Sequence, residues 1–188
     1  NNHMDIPWHE YTNKDSKVKI ENASLTEKSS VIGRIGLMLL ACGTGAWRVR
    51  SSMNTIASEL NITCIADIGL TNISYTCIDG IDSHAQSLSL HNTSVNTSKL
   101  ARMEDFVYHF KDECKTCTCN EIHNQLDEIE SIHSSYSPII LGLAAALACS
   151  CFTFLLGGGP IEMLCAFVGA GLGNTLRMKL IKHNYTLF

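Results

Sequence analysis

The amino-acid sequence predicts an α+β domain, helices flanking a small sheet, followed by a two-helix transmembrane hairpin. Three observations carry that expectation. Eighteen uncharged residues run from Ile139 to Leu156, Gly157-Gly158-Gly159-Pro160 then breaks the run, and a second apolar segment follows from Ile161 to Leu176. A bilayer core of about 30 Å takes roughly 20 apolar residues of helix, so these segments read as transmembrane helices over 137–157 and 160–178. Before Ser137 the chain is polar, with apolar residues at helical spacing in four places. An alternating, β-branched stretch lies between those helices, and strands gathered in one place point to α+β rather than a doubly wound sheet.

Residues 1–22 are polar and without apolar periodicity, which reads as a flexible arm, and Asn1-Asn2-His3-Met4 reads as a cloning remnant. The domain occupies 23–136. Ser24-Leu25-Thr26-Glu27 is a capping box that opens a helix carrying Val31, Ile32, Ile35, Leu39 and Leu40 and closing near Cys42-Gly43. Thr44 caps a second helix, with Val49, Met53, Ile56 and Leu60 on one side and a stop at Asn61. Ile62, Cys64 and Ala66, then Leu70, Ile73, Tyr75 and Cys77, alternate as strands do. Asp79-Gly80 is a hairpin turn, and Ala85 to His91 supplies the returning strand. Asn96-Thr97-Ser98 caps a helix through Met103, Phe106, Val107 and Phe110. Thr118-Cys119-Asn120-Glu121 is a second capping box, and its helix carries Ile122, Leu126, Ile129 and Ile132 toward the membrane segments.

Charge and cysteine usage bound the function. A net charge of -4, with no Lys/Arg stripe interleaved with aromatics, excludes nucleic acid as a partner. Two crossings return the chain to its starting side. Arg177, Lys179 and Lys182 follow the second segment while the glycine turn has no Lys or Arg, so the positive-inside rule places the domain and the 179–188 tail in the cytoplasm. Nine cysteines, an odd number with three inside the apolar segments, fit reduced thiols in that compartment.

The residues able to carry chemistry are few. Glu162 is the one carboxylate inside the apolar region, where an ionisable group is expensive and marks proton or substrate coupling. In the first turn of a helix it equally meets the positive end of the helix dipole. Gly157, Gly158, Gly169, Gly171 and Gly173 offer small-residue faces for close helix packing, which predicts self-association or pairing with another subunit. No Lys-Ser/Thr follows the triple glycine, so it is not a phosphate loop. Cys114, Cys117 and Cys119 with His123 form a thiolate and imidazole set of the kind zinc or copper prefers, though without a recognised spacing. No serine sits in a nucleophile elbow or beside a recognisable base, so the chain is not read as an enzyme. Arg48 either binds a carboxylate or pairs with an acid such as Glu59.

The order Gly36-Leu37-Met38-Leu39-Leu40, Gly43, Arg48-Val49 and a helix ending near Leu60 resembles the N-terminal part of the threonine/serine exporter family. Asn96-Thr97-Ser98-Lys99-Leu100-Ala101, Leu126-Asp127-Glu128-Ile129, Ser135-Tyr136-Ser137-Pro138, Ala144-Ala145-Ala146 through Gly157-Gly158, and the second segment through Arg177 extend the likeness over about 28–188. Each motif is weak alone; their order is specific. The resemblance implies a multi-pass protein of the bacterial inner membrane that exports threonine and serine, or a dicarboxylate such as succinate, driven by the proton gradient. It implies about ten membrane helices in one chain or two. This chain then reads as part of a larger membrane protein, and its partners as further membrane helices or a second membrane subunit, the lipid bilayer and a small-molecule substrate. Where the family carries Gly-Ala-Glu and Arg-Val-Glu, this chain has Gly43-Thr44-Gly45 and Arg48-Val49-Arg50, so two carboxylates are absent and Arg50 favours an anionic ligand. A membrane-tethered sensor for a metal or metabolite is the alternative reading.

Overall fold

The computed structural model describes residues 6–11, 17–90, 93, 95–132 and 137–182. Asn1–Met4, read above as a cloning remnant, His91, Ser135-Tyr136 and the last residues from 183 lie outside them. The chain divides into two compact units, Asn1–His133 and Ser134–Phe188.

The first unit is α+β. Helix α1 (Leu25–Ala41) is opened by the Ser24/Glu27 capping box in full: the Glu27 N–H donates to Ser24 Oγ (3.3 Å) and the Ser24 N–H to Glu27 Oε2 (3.0 Å). It closes at Gly43, which takes the left-handed conformation (φ 77°) that glycine adopts without steric cost. Helix α2 (Ala46–Glu59) is capped by Gly45 rather than Thr44. Strands β1 (Thr63–Ile68), β2 (Asn72–Asp79) and β3 (Asp82–Ser89) form an antiparallel meander in the order β1-β2-β3. Helix α3 (Thr97–His109) starts at Asn96, whose side chain accepts from the Lys99 N–H, and runs on into one wide turn, Phe110–Cys114. The Thr118/Glu121 capping box opens α4 (Cys119–Glu130).

Every residue of α1 from Lys28 to Leu40 is buried, because the sheet, α2, α3 and α4 all pack on it. Cys64, Ala66, Ile73, Tyr75 and Cys77 point from the sheet into this core, while Thr63, Ile65 and Asp67 point away. Gly33 of α1 is required by the close approach of Tyr75: a methyl group there would overlap the tyrosine hydroxyl, which lies 3.0 Å from Ser29 O and 2.8 Å from Gln86 Oε1. The segment read as a flexible arm contributes to the same core. Trp8, in a short 3-10 turn (Trp8–Tyr11), is buried, and so is Ile20. The Ile20 N–H donates to Cys117 O (2.8 Å) and Lys19 bridges Thr118, so backbone pairing holds this segment beside the start of α4.

The second unit is an antiparallel helical hairpin, α5 (Pro138–Leu155) and α6 (Pro160–Lys182), joined by a turn in which Gly157 is left-handed (φ 88°). The transmembrane expectation is corrected here. Among the described residues no helix is long and apolar enough to cross a membrane. At about 1.5 Å per residue α5 covers about 27 Å, short of the hydrocarbon core. Helix α6 is longer, but Glu162 near its start and Arg177 and Lys179 near its end leave an uncharged run, Met163 to Leu176, of only about 21 Å.

Candidate functional site

The most ordered polar constellation in the first unit is built by residues that share helix faces. Ser30 and Arg34 sit one turn apart on α1, and His123, Asp127 and Glu130 occupy one face of α4 opposite them. Arg34 is 2 % exposed. Its guanidinium donates to the His123 carbonyl (3.0 Å), to the His123 ring at Nδ1 (3.3 Å), to Glu130 Oε2 (2.7 Å) and to Asp127 Oδ1. Trp8 closes the cluster: its ring stacks on His123 at 6.2 Å, and the Arg34 Cζ lies 6.0 Å from its centroid. His9 lies 2.9 Å from both Asn120 Oδ1 and Asp127 Oδ2. The arrangement therefore clamps the N-terminal segment onto α1 and α4.

The direction of the hydrogen bonds limits what this cluster does chemically. Arginine only donates, so His123 Nδ1 accepts, and the network assigns the ring proton to Nε2. Nε2 then donates to Ser30 Oγ (3.1 Å), and the Ser30 hydroxyl donates to Glu27 O (2.8 Å). The imidazole cannot take the Ser30 proton, because the nitrogen facing the hydroxyl already carries one. Burial first, and then the positive charges of Arg34 and His9, press the His123 pKa down to about 3 against the opposing pull of Asp127. Asp127 is pushed up by burial but brought down further by the hydrogen bonds of Arg34 and His9, so its carboxyl titrates below the usual range. The cluster is a neutral imidazole beside a compensated ion pair; it holds the fold and activates no nucleophile.

The residues singled out from the sequence are dispersed. Cys114 Sγ contacts Gln125 Oε1 (3.4 Å), Cys117 Sγ contacts Glu113 O (3.2 Å), Cys119 Sγ contacts Glu27 O (3.7 Å), and both nitrogens of His123 are taken. Among the described residues no group of three or more His, Cys, Asp or Glu side chains is placed to hold a metal ion. Burial pushes the Cys114 and Cys119 thiols up to about 12. Arg48 pairs with Glu104 (2.7 Å) on α3 and lies 5.5 Å from the Trp47 ring, whereas Arg50 turns to the sheet and donates to Ala66 O (3.0 Å). The two arginines thus serve different neighbours.

In the hairpin, Gly171 lies in the helix contact, where an added Cβ would meet the Ala146 Cβ at 3.3 Å. Gly142, which the sequence reading passed over, is the tighter position, against Thr175. Gly169 and Gly173 have nothing within 4 Å, and Gly157 and Gly158 shape the turn. Glu162 is exposed in the first turn of α6, its carboxylate over the Gly159 backbone. Apart from Ala146, which is 1 % exposed, the hairpin buries little of its apolar surface: Leu164, Val168, Leu172 and Leu176 form an exposed row along α6, and Leu143 and Leu147 do so on α5.

The comparison with protein families matches residues 30–188 to ThrE, described as "Putative threonine/serine exporter". The matched span starts at Ser30 and so takes in Arg34, the sheet, α4 and the hairpin, but not Trp8 or His9. No curated protein matches the chain, and no solved structure does. The match covers most of the chain: it belongs to the threonine/serine exporter family, a family of transporters and not of enzymes.

Proposed function

We propose that this chain is a component of a secondary transporter that exports threonine and serine, or a small dicarboxylate such as succinate, across the bacterial inner membrane. The observation that carries the proposal is the family match over 30–188. Two structural features support it. The hairpin presents rows of large apolar side chains without cover in its own unit, which suits packing against the membrane helices of the transporter, in the same polypeptide or in a second subunit. All nine cysteines are free thiols, as a cytoplasmic location of the first unit calls for.

Glu162 is the residue proposed to couple to the proton gradient, since it is a carboxylate set among apolar neighbours and open to exchange with water or substrate. Arg48 is proposed to meet an anionic substrate group, because an exposed ion pair such as Arg48–Glu104 is worth at most about 1 kcal/mol and yields to a competing carboxylate. The test is efflux from cells that carry the whole transporter and are preloaded with threonine, serine or succinate. Faster release of one solute, lost in Glu162→Gln, supports export and the role of Glu162. Release unchanged by the presence of the chain, with membrane association confirmed, rejects the exporter and favours a sensor.

A further inference from the structure

Cys64 and Cys77 face each other across β1 and β2, and the register defines how closely. They are direct partners in the antiparallel pairing. Asp79 and Asp82 flank the two-residue loop Gly80-Ile81 and form the hydrogen-bonded pair that closes such a hairpin. Hydrogen-bonding direction alternates along a strand, so Cys77, two residues before Asp79, spends its N–H and C=O on β3 and offers none to β1. The other end of the strand agrees: the Gly69 N–H donates to Asn72 O (2.8 Å), which turns Asn72 toward β1 and residues 73, 75 and 77 toward β3. Cys64 and Cys77 are therefore a non-hydrogen-bonded pair, the kind in which opposed Cα atoms stand about 4.5 Å apart and side chains are closest. That separation lies at the short end of the range a disulfide accepts.

Both side chains point to the same face, into the core. Cys64, on the edge strand, keeps 8 % exposure, while Cys77, on the central strand, keeps none. The two neighbouring sulfurs act on each other, which raises Cys64 and lowers Cys77. The other cysteines of this unit are directed to carbonyl or amide oxygens or, like Cys42, buried singly.

We infer that Cys64 and Cys77 are a redox-responsive dithiol that closes to a cross-strand disulfide when a small peroxide reaches the sheet edge. One sulfur of the pair displaces water from hydrogen peroxide, its proton leaving with that water, and becomes a sulfenic acid. The other sulfur then attacks it, and the second water leaves with that thiol's proton. Two thiols lose two electrons and two protons, and one peroxide becomes two waters. A thiol reductant reverses the step by exchange, and the short pairing distance favours that reversal.

The experiment treats the native full-length protein with limiting hydrogen peroxide, alkylates it and digests it with trypsin. Cleavage after Arg50 and Lys99 releases a peptide, 51–99, that contains these two cysteines and no others. The expected result is this peptide lighter by two hydrogens, with both alkylation sites lost and both recovered after reduction. A further cut before Asp67, between the two cysteines, leaves two pieces joined until reductant is added. Unfolding the protein before oxidation removes the preference, since the register no longer opposes the pair. Peroxide that oxidises other cysteines while both Cys64 and Cys77 remain alkylated overturns the inference, as does a sulfinic acid at either position.

Discussion

Lowering the pH from 7 to 5 is predicted to destabilise the first unit through His123. The imidazole is fully buried between Arg34 of α1, Trp8 and His9 of the N-terminal turn and Asp127 of its own helix. Its pKa is about 3 in the folded protein against an ordinary value of 6.5. The folded state thus stays unprotonated while the unfolded chain gains a proton, and stability falls as pH drops through 6.5 and goes on falling toward pH 3. With about 1.36 kcal/mol per pH unit, the loss between pH 7 and pH 5 is about 2 kcal/mol, nearly all of it below pH 6.5. Asp127 adds a loss in the same direction, but in the acidic window where carboxylates titrate, well below pH 5. The assay is urea unfolding at a series of pH values, followed through Trp8, which is buried against the imidazole. His123→Gln should flatten the dependence between pH 7 and 5 whatever its own stability. An equal slope in that variant, or no slope in the parent protein, would refute the buried neutral imidazole.

The remaining predictions concern packing and caps. Gly33→Ala should cost about 1–3 kcal/mol, because the new methyl displaces the Tyr75 hydroxyl from Ser29 O and Gln86 Oε1. A urea midpoint equal to the parent's would show that the tyrosine has room to move. Ser24→Ala should cost about 1 kcal/mol, since it removes the acceptor of the Glu27 N–H at the start of the helix on which the whole unit packs. That loss is read as a shift of the urea midpoint at constant slope.

How far the sequence could be read depended on how local each signal was. The capping boxes at Ser24 and Thr118, the Asn96 cap and the Asp79-Gly80 turn are contained in four or fewer residues, and each stands where the sequence placed it. Strand β3 starts at Asp82, before the expected Ala85, because Asp82, Ser83 and His84 owe their pairing to β2 and show no apolar alternation. The Arg34 cluster is a tertiary fact. Ser30 and Arg34 one turn apart within a buried helix, and His123, Asp127 and Glu130 along one face of another, were a signal for it. Only contact between the helices shows that they are partners. Trp8 and Ile20 lie in a polar stretch without period, so their burial was not legible. The hairpin helices were legible as helices, but apolar length was overread, because charged and polar residues at both ends of α6 shorten its run.

Threonine accumulation in everted inner-membrane vesicles tests the central claim most directly, with vesicles prepared from cells that have or lack the chain beside the rest of the transporter. The account predicts uptake into the vesicles that requires the chain and collapses when a protonophore dissipates the gradient. Equal accumulation with and without the chain, for threonine, serine and succinate alike, would contradict it.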